Sequence, residues 1–393
     1  MNTVDIIKTK KIIIVLHENL PTGPGHDLRD YLLINKAKEI VYVTHPLLSL
    51  KQNYANRSRM QVYARSGVIE RQSKYHLSLP MPILYFKDLF LTLVWVIGRR
   101  EKYDLYVGLD PINAFAGILL KIIGLVNKTV YYTIDYVPKR FDNIVLNFVY
   151  HSLDKFCVRY SDDTWNVGGE VANAREKYYH MDRKIYSKQY HLPIGVWPGQ
   201  FKSLPFEKIN LNKLVYIGSL KHIMGVELMI DAMPKLVKKF PRLRLDIVGG
   251  GVDEEILKQR VRKLKAEKYI IFHGWIRDRA RVGVLASDAV IGLATFNTDE
   301  FSVEVKNADP SKIKEYLSMG LPVITTNVVP YYLELEKSKC AIVISYSVDS
   351  LVDAVETLLT NKTRLQAYKA NASKFAEQFD YSKLFTNALS RVL

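Results

Sequence analysis

Cysteine, acidic residues and long apolar runs are all scarce in this sequence, and each shortage excludes something. The only two cysteines among 393 residues, Cys157 and Cys340, stand far apart in apolar surroundings. A pair so sparse builds no disulfide framework, which excludes the cystine-stapled secreted folds and points to a reducing cytoplasm. No window reaches the roughly 18 uninterrupted apolar residues that a membrane-spanning helix needs. The longest candidate runs from Leu89 to Gly98. The opening MNTVDIIKTKKIIIVLHENL has too short an apolar run and no small-residue cleavage site, so it reads as a first buried strand and not as a signal peptide. Zinc-ligand spacings, a P-loop and a nucleophile elbow are all missing. The adjacent Asp162 and Asp163 follow a helical run and read as a surface turn, so no metal site is expected.

What the chain does have is positive charge, +16 at neutral pH. Residues 51–102 carry ten Lys or Arg against three acids, Glu70, Asp88 and Glu101, a local excess of +7 and nearly half of the total. Such a field attracts polyanions, whether nucleic acid, anionic lipid headgroups or phosphorylated substrates. Aromatics are interleaved with it at Tyr54, Tyr63, Tyr75, Tyr85, Phe86, Phe90 and Trp95, a mixture that suits an anionic membrane surface. The alternative is a solvated basic face without a partner.

Length fits two domains. In the first half short β-branched runs (Lys11–Leu16, Ile40–Thr44, Asp104–Gly108, Thr129–Ile134) alternate with helical patterns (Asp27–Lys38, Asp88–Arg100, Asn113–Leu125). That alternation implies right-handed crossovers and a parallel sheet. The stretch ending at residue 210 is rich in Pro and Gly and lacks periodicity, after which the alternation restarts. We therefore expect an acceptor-binding domain over 1–195, a linker over 196–210, a donor-binding domain over 211–375, and a final helix over 376–393 that packs back on the first domain. In open parallel sheets the ligand crevice lies outside the carboxyl ends of the strands.

The most informative segment is Asp309–Thr326, DPSKIKEYLSMGLPVITT. Pro310 and Ser311 open a helix whose first amides and dipole form a ready anion site, and Lys312 adds charge beside it. Glu315 follows about one turn later, where a carboxylate can accept two hydrogen bonds from a ribose diol. The bland alternative is an amphipathic helix with a surface Lys and Glu. Earlier, Gly218, Ser219, Lys221 and His222 follow one strand, the glycines Gly249 and Gly250 end the next, and His273 and Gly274 end the third.

The run P-x-K-x-x-E-Y-L-x-x-G-L-P-V-I-T resembles the donor-site signature of retaining GT-B glycosyltransferases of family 4 (glycosyl transferases group 1). The resemblance implies an α/β fold of two Rossmann-like domains facing each other across a cleft. It implies a hexosyltransferase that uses a nucleotide diphosphate sugar, UDP or GDP, with no other cofactor and no metal, and retains configuration. Carried onto this chain, Glu315 binds the nucleotide ribose. The family's first glutamate falls on Asn307, which offers an amide and no charge at the reacting face. The two cations that flank the family's diphosphate fall on Ser219 and Met224, leaving Lys221 and His222 as substitutes from the same loop. Gly249, Gly250, His273 and Gly274 match turns near the nucleotide. In the first half, Gly23, Gly25 and His26 match the family's glycine-rich loop, and Asp135 ends a strand where it meets an acceptor hydroxyl or caps the next segment.

Three rivals share parts of this pattern. A sugar-nucleotide epimerase of GT-B type needs the nucleotide half but no acceptor. A non-catalytic paralogue accommodates Ser219, Met224 and Asn307. A basic protein binding nucleic acid or an anionic membrane without catalysis explains the charge, but it leaves the donor-like motifs without a purpose, and the segment carries no nucleic-acid module. The reading that covers most residues is a glycosyltransferase acting on a glycan or lipid-linked acceptor, peripheral on the inner face of a membrane through 51–102.

Overall fold

The computed structural model describes residues 2–18, 22–47, 57–64, 66–73, 80–182, 188–299 and 309–393. They form two compact units, Met1–Pro193 with Tyr381–Leu393, and Ile194–Asp380.

The first unit is built on eight strands: β1 (Lys11–Glu18), β2 (Glu39–Pro46), β3 (Arg59–Ala64), β4 (Gly67–Gln72), β5 (Tyr103–Leu109), β6 (Val126–Thr133), β7 (Asp163–Asn166) and β8 (Gln189–His191). Their order is β4-β3-β2-β1-β5-β6-β7-β8. Ile12 to Leu16 are all buried, the continuous apolar run of a parallel strand covered on both faces. Helices α1 (Thr3–Ile7), α2 (Pro24–Ile34), α3 (Met81–Ile97), α4 (Pro111–Ile122), α5 (Ile144–Tyr160) and α6 (Val171–Tyr179) accompany the sheet. The parallel core β2-β1-β5-β6-β7 follows one of the two common doubly wound orders, whose switch point lies between β1 and β5.

Two expectations are corrected here. The basic segment is not simply a charged surface, because β3 pairs antiparallel with both β2 and β4 and forms a hairpin edge on the sheet. Its signal was the alternation in Arg59-Met60-Gln61-Val62-Tyr63, where Met60 and Val62 turn inward. Nor are Asp162 and Asp163 a surface turn. Asp163 opens β7 buried, accepting from the Trp165 indole at 3.2 Å and from Arg391 Nε at 2.7 Å. Asp162 accepts from the Thr129 amide at 2.8 Å and from Lys121 at 2.6 Å.

The second unit is a six-stranded parallel sheet: β9 (Asn210–Ile217), β10 (Arg244–Val248), β11 (Ile270–Gly274), β12 (Ala289–Ala294), β13 (Val323–Thr326) and β14 (Ala341–Ile344). The order β11-β10-β9-β12-β13-β14 is the 3-2-1-4-5-6 arrangement of dinucleotide-binding sheets, with its switch point between β9 and β12. Its helices are α7 (Val226–Lys239), α8 (Glu254–Lys263), α9 (Arg279–Ala286), α10 (Ser311–Ser318), α11 (Tyr332–Lys337), α12 (Val348–Leu359) and α13 (Lys362–Ala376). The stretch read as a linker is packed into this unit. Val196 bridges Asp380, and Phe201 is buried beside Gly283 of α9.

The chain ends in α14 (Tyr381–Ser390), which belongs to the first unit. Its Phe385 is fully buried, stacked on Tyr381 with ring centroids 5.0 Å apart, and Thr386 shares a hydrogen bond of 2.6 Å with the Tyr31 hydroxyl of α2. Phe385→Ala leaves a cavity there and is expected to cost about 3–5 kcal/mol. Hydrogen exchange checks it: amides of β1 and β2 lose protection in the variant while those of β9 and β12 keep theirs.

Candidate functional site

In each unit a cavity lies at the switch point of the sheet. In the second unit β9 ends at Ile217 and the chain turns through Gly218 with φ +149°. The parallel strand β10 ends beside it at Gly249, where a Cβ would stand 1.8 Å from the Gly218 carbonyl oxygen. Only glycine permits that backbone-on-backbone approach. Two amides tie the loops together, Gly218 to the Val248 carbonyl and Leu220 to the Gly250 carbonyl, both at 3.0 Å. Gly249 and Gly250 thus shape the loop pair and do not line the cavity.

The cavity itself holds about 420 Å³ and is lined by Gly218, Ser219, Met224, Arg279, Phe296, Pro310, Ser311, Lys312, Glu315 and Val329, among others. The first turn of α10 forms one wall. Among the described residues no side chain caps that helix, so none of them satisfies its leading amides from a side chain. Lys312 is buried, and its ammonium donates to the Tyr216 hydroxyl at 3.1 Å, lies 3.5 Å from Met224 Sδ, and sits over the Tyr216 and Phe296 rings at 4.5 and 5.1 Å. Among the described residues no carboxylate forms an ion pair with it. Burial therefore dominates and pushes its pKa down to about 7, against the opposing pull of Glu315.

Glu315, also buried, forms an ion pair with Arg279. Arg279 lines the same cavity and lies over the Phe201 ring at 5.6 Å. Sequence reasoning missed it, although a signal was present: a cation in the first turn of a helix faces the positive end of the dipole and is misplaced unless an anion accompanies it. Lys314, two residues after Lys312, takes a different path. It pairs with Asp309 and donates to the Ile194 carbonyl at 2.7 Å, and burial, opposed by Asp309, lowers its pKa to about 8.

The other donor-side residues do not reach this cavity. Lys221 is exposed and does not line it. His222 is held by Glu227 at 2.6 Å and meets Asn297 at 3.3 Å. His273, with Gly274 at the end of the edge strand β11, is engaged by buried Asp246 at 3.0 Å. The substitute cations expected from the 219–224 loop are thus not in the cavity, where Lys312 and Arg279 supply the positive charge instead. Asn307 lies outside the described residues.

The first unit's cavity, about 550 Å³, opens at the carboxyl ends of β1, β5 and β6. It gathers Gly23, Gly25, His26 and Asp135, as well as His17, Asp110 and Arg140, which sequence reasoning did not single out. His26 shares a 2.7 Å hydrogen bond with the Tyr42 hydroxyl. Asp135 is exposed and accepts from Arg140 at 2.7 Å. His17 stands between two carboxylates, Asp110 at 2.6 Å and Asp88 at 3.3 Å. Burial disfavours its charge, but those carboxylates outweigh burial and push its pKa up to about 9.

Two doubly wound sheets with a cavity at each switch point define the architecture of the GT-B glycosyltransferases. Solved structures agree in fold. Sucrose-phosphate synthase from Thermosynechococcus elongatus aligns at TM-score 0.67 and 14% identity over 97% of this chain and 98% of that one. Anabaena HepE in complex with UDP and glucose aligns at 0.65 and 14% over 97% and 99%. WaaG, a glycosyltransferase involved in lipopolysaccharide biosynthesis, aligns at 0.64 and 17% over 97% and 99%. Residues 202–375, somewhat under half of the chain, match the family glycosyl transferases group 1. Poly(glycerol-phosphate) alpha-glucosyltransferase of Bacillus subtilis (strain 168) is 21% identical over 187 residues, which is 47% of this chain and only about a quarter (26%) of that longer protein.

Lys312→Met tests the buried ammonium. At or below pH 7 the variant is expected to be more stable than wild type. That advantage shrinks as pH rises from about 7 toward the ordinary lysine value of 10.5, by up to about 1.4 kcal/mol per pH unit. The sign follows because in this window the unfolded wild type still binds a proton that its folded form has shed, so wild-type stability climbs with pH. Urea denaturation of both proteins across pH 6–10 checks it, and Lys314, present in both, cancels.

Proposed function

We propose that the protein transfers a hexosyl group from a nucleotide diphosphate sugar, UDP- or GDP-linked, to a glycan or lipid-linked acceptor with retention of configuration. The observation that carries this reading is the cavity at the β9/β12 switch point. It combines a buried ammonium and a helix start that, among the described residues, have neither a carboxylate partner nor a side-chain cap, together with a carboxylate, all within the length of one short helix.

An isolated buried charge is costly, and a diphosphate beside Lys312 removes that cost. The amides of Ser311 and Lys312 and the Lys312 ammonium meet the diphosphate, while Glu315 accepts from the ribose diol. As the bond from the anomeric carbon to the diphosphate breaks, negative charge grows on the leaving oxygen, and fixed donors hold it more tightly than they held the ground state. Arg279, now on Glu315, either remains as its orienting partner or turns to the phosphates. The nucleotide sugar serves as substrate, and no cofactor enters the scheme.

Residues 51–102 supply a second element of the proposal, association with an anionic membrane. Arg71, Lys87, Arg99 and Arg100 lie in or beside β4 and α3, where Val68, Ile69, Phe86 and Phe90 are exposed. Co-sedimentation with anionic vesicles that falls off with added salt supports it; no co-sedimentation at any salt concentration removes it.

Two further outcomes test the donor site. Glu315→Ala is expected to weaken UDP- or GDP-sugar binding by about 1–3 kcal/mol, roughly 5- to 150-fold, in isothermal titration calorimetry. Unchanged affinity removes the assignment. The wild-type affinity is also expected to depend on pH. Lys312 is protonated below about 7 and a diphosphate binds that form, with Glu315 and Arg279 as the charged neighbours on the same cavity. Binding therefore takes up a proton near neutrality and weakens as pH climbs through 7 to 9, a slope that Lys312→Met abolishes.

A further inference from the structure

The cavity of the first unit carries more information than a place for an acceptor. At its floor Asp110 ends β5 with φ +79° and ψ 161°, a backbone region that is nearly confined to glycine and that marks functional positions when another residue occupies it. The carboxylate is fixed on one side by His17 at 2.6 Å and by the Asn113 side chain at 2.7 Å. Its other oxygen accepts the Asn113 backbone amide at 3.0 Å and no other donor among the described residues, and the side chain remains about one-third (32%) exposed. His17, clamped between Asp110 and Asp88, keeps that carboxylate oriented.

Most of the other polar groups on the lining are engaged with protein partners, His17 with Asp110 and Asp88, His26 with Tyr42, Asp135 with Arg140, Tyr131 with Asp154 and Thr133 with Arg175, and between them the walls are hydrocarbon: Leu47, Met81, Ile112, Leu146, Val149 and Leu153. A site for a free sugar needs many hydrogen-bonding groups, because each sugar hydroxyl stripped of water must find a partner. Such walls instead match an apolar chain. The helices α3 and α5, which supply Met81, Leu146, Val149 and Leu153 to those walls, also expose large apolar residues to solvent, Ile83, Phe86 and Phe90 on α3 and Ile144, Val145 and Phe148 on α5. Both helices enter the cavity at their amino-terminal halves, through Met81 and Tyr85 and through Leu146 and Val149, so each is apolar on its cavity side and on its solvent side alike.

We propose that this cavity takes a hydroxyl-bearing amphiphile from a lipid bilayer, its hydroxyl on Asp110 and its hydrocarbon along the aliphatic wall. The inference rests on the transferase reading above, and among the acceptors open there it selects the lipid-linked class.

The test uses n-octyl β-D-glucoside below its micellar concentration and methyl β-D-glucoside, which has the same headgroup without the chain, each titrated calorimetrically into the full chain without nucleotide. Octyl glucoside is expected to bind at least about tenfold more tightly, a margin that about two buried methylenes provide. Leu146→Trp, which fills the cavity, is expected to lose that margin. Asp110→Asn is expected to weaken octyl glucoside about tenfold while leaving the preference for the chain intact. Equal binding of the two glucosides, or octyl binding that is indifferent to both substitutions, overturns the proposal. UDP titrated separately keeps the readings apart: absent amphiphile binding with intact UDP binding sinks this inference alone, and absent UDP binding with intact amphiphile binding sinks the donor assignment alone.

Discussion

An ammonium group removed from water without an ion-pair partner is held in place only by its surroundings, and among the described residues no carboxylate pairs with Lys312. The Tyr216 hydroxyl, the Met224 sulfur and two aromatic faces are weak compensation for lost hydration. The fold tolerates this because α10 is anchored from behind. Lys314 ties Asp309 and the Ile194 carbonyl, Tyr316 donates from its hydroxyl to the Leu293 carbonyl at 3.2 Å and accepts the Ile217 amide at 2.6 Å, and Ile313 and Leu317 are fully buried. One face of an eight-residue helix secures the backbone, and the adjacent face spends that security on a charge and a carboxylate.

Both cavities follow from the same rule of sheet topology. Where neighbouring strands send their crossovers to opposite faces, a crevice opens past their carboxyl ends. In the second unit that place is between β9 and β12, and in the first between β1 and β5. The two sites differ in chemistry. One is lined by two cations and the first turn of a helix, while the other is largely apolar, with most of its polar groups engaged by protein partners. A protein that must bring a charged donor to a greasy substrate gains from keeping the two in separate sheets, because neither environment has to compromise for the other.

Legibility in the sequence divided along similar lines. The strands β1, β9, β10 and β12 were visible because parallel strands buried on both faces read as unbroken apolar runs. Helix α10 with Lys312 and Glu315 was visible because all its chemistry falls within one turn of local sequence. Arg279 was not, since it meets Glu315 from 36 positions away and no periodicity links them. His17, Asp88 and Asp110 come from three separate elements, and counting Asp88 among the acids of a basic stretch concealed that it is buried between two histidines. The β3–β4 hairpin was hidden in the same way, its alternation overshadowed by its charge. Lys221 and His222 show the opposite failure: residues at a suitable sequence position whose side chains are exposed or occupied elsewhere.

The return of α14 to the first unit has a consequence for how the protein comes into being. The first unit is assembled from two pieces of chain, with the whole of the second unit between them. Emerging from a ribosome, the first unit's sheet is made before the helix that meets Tyr31, which follows only after residues 194–380. The second unit can thus be finished while the first still lacks the buried Phe385 and Leu389. A nascent chain in that interval is most vulnerable where Phe385 and Leu389 will eventually lie, so a segment made after the whole of the second unit seals a part of the fold begun long before it.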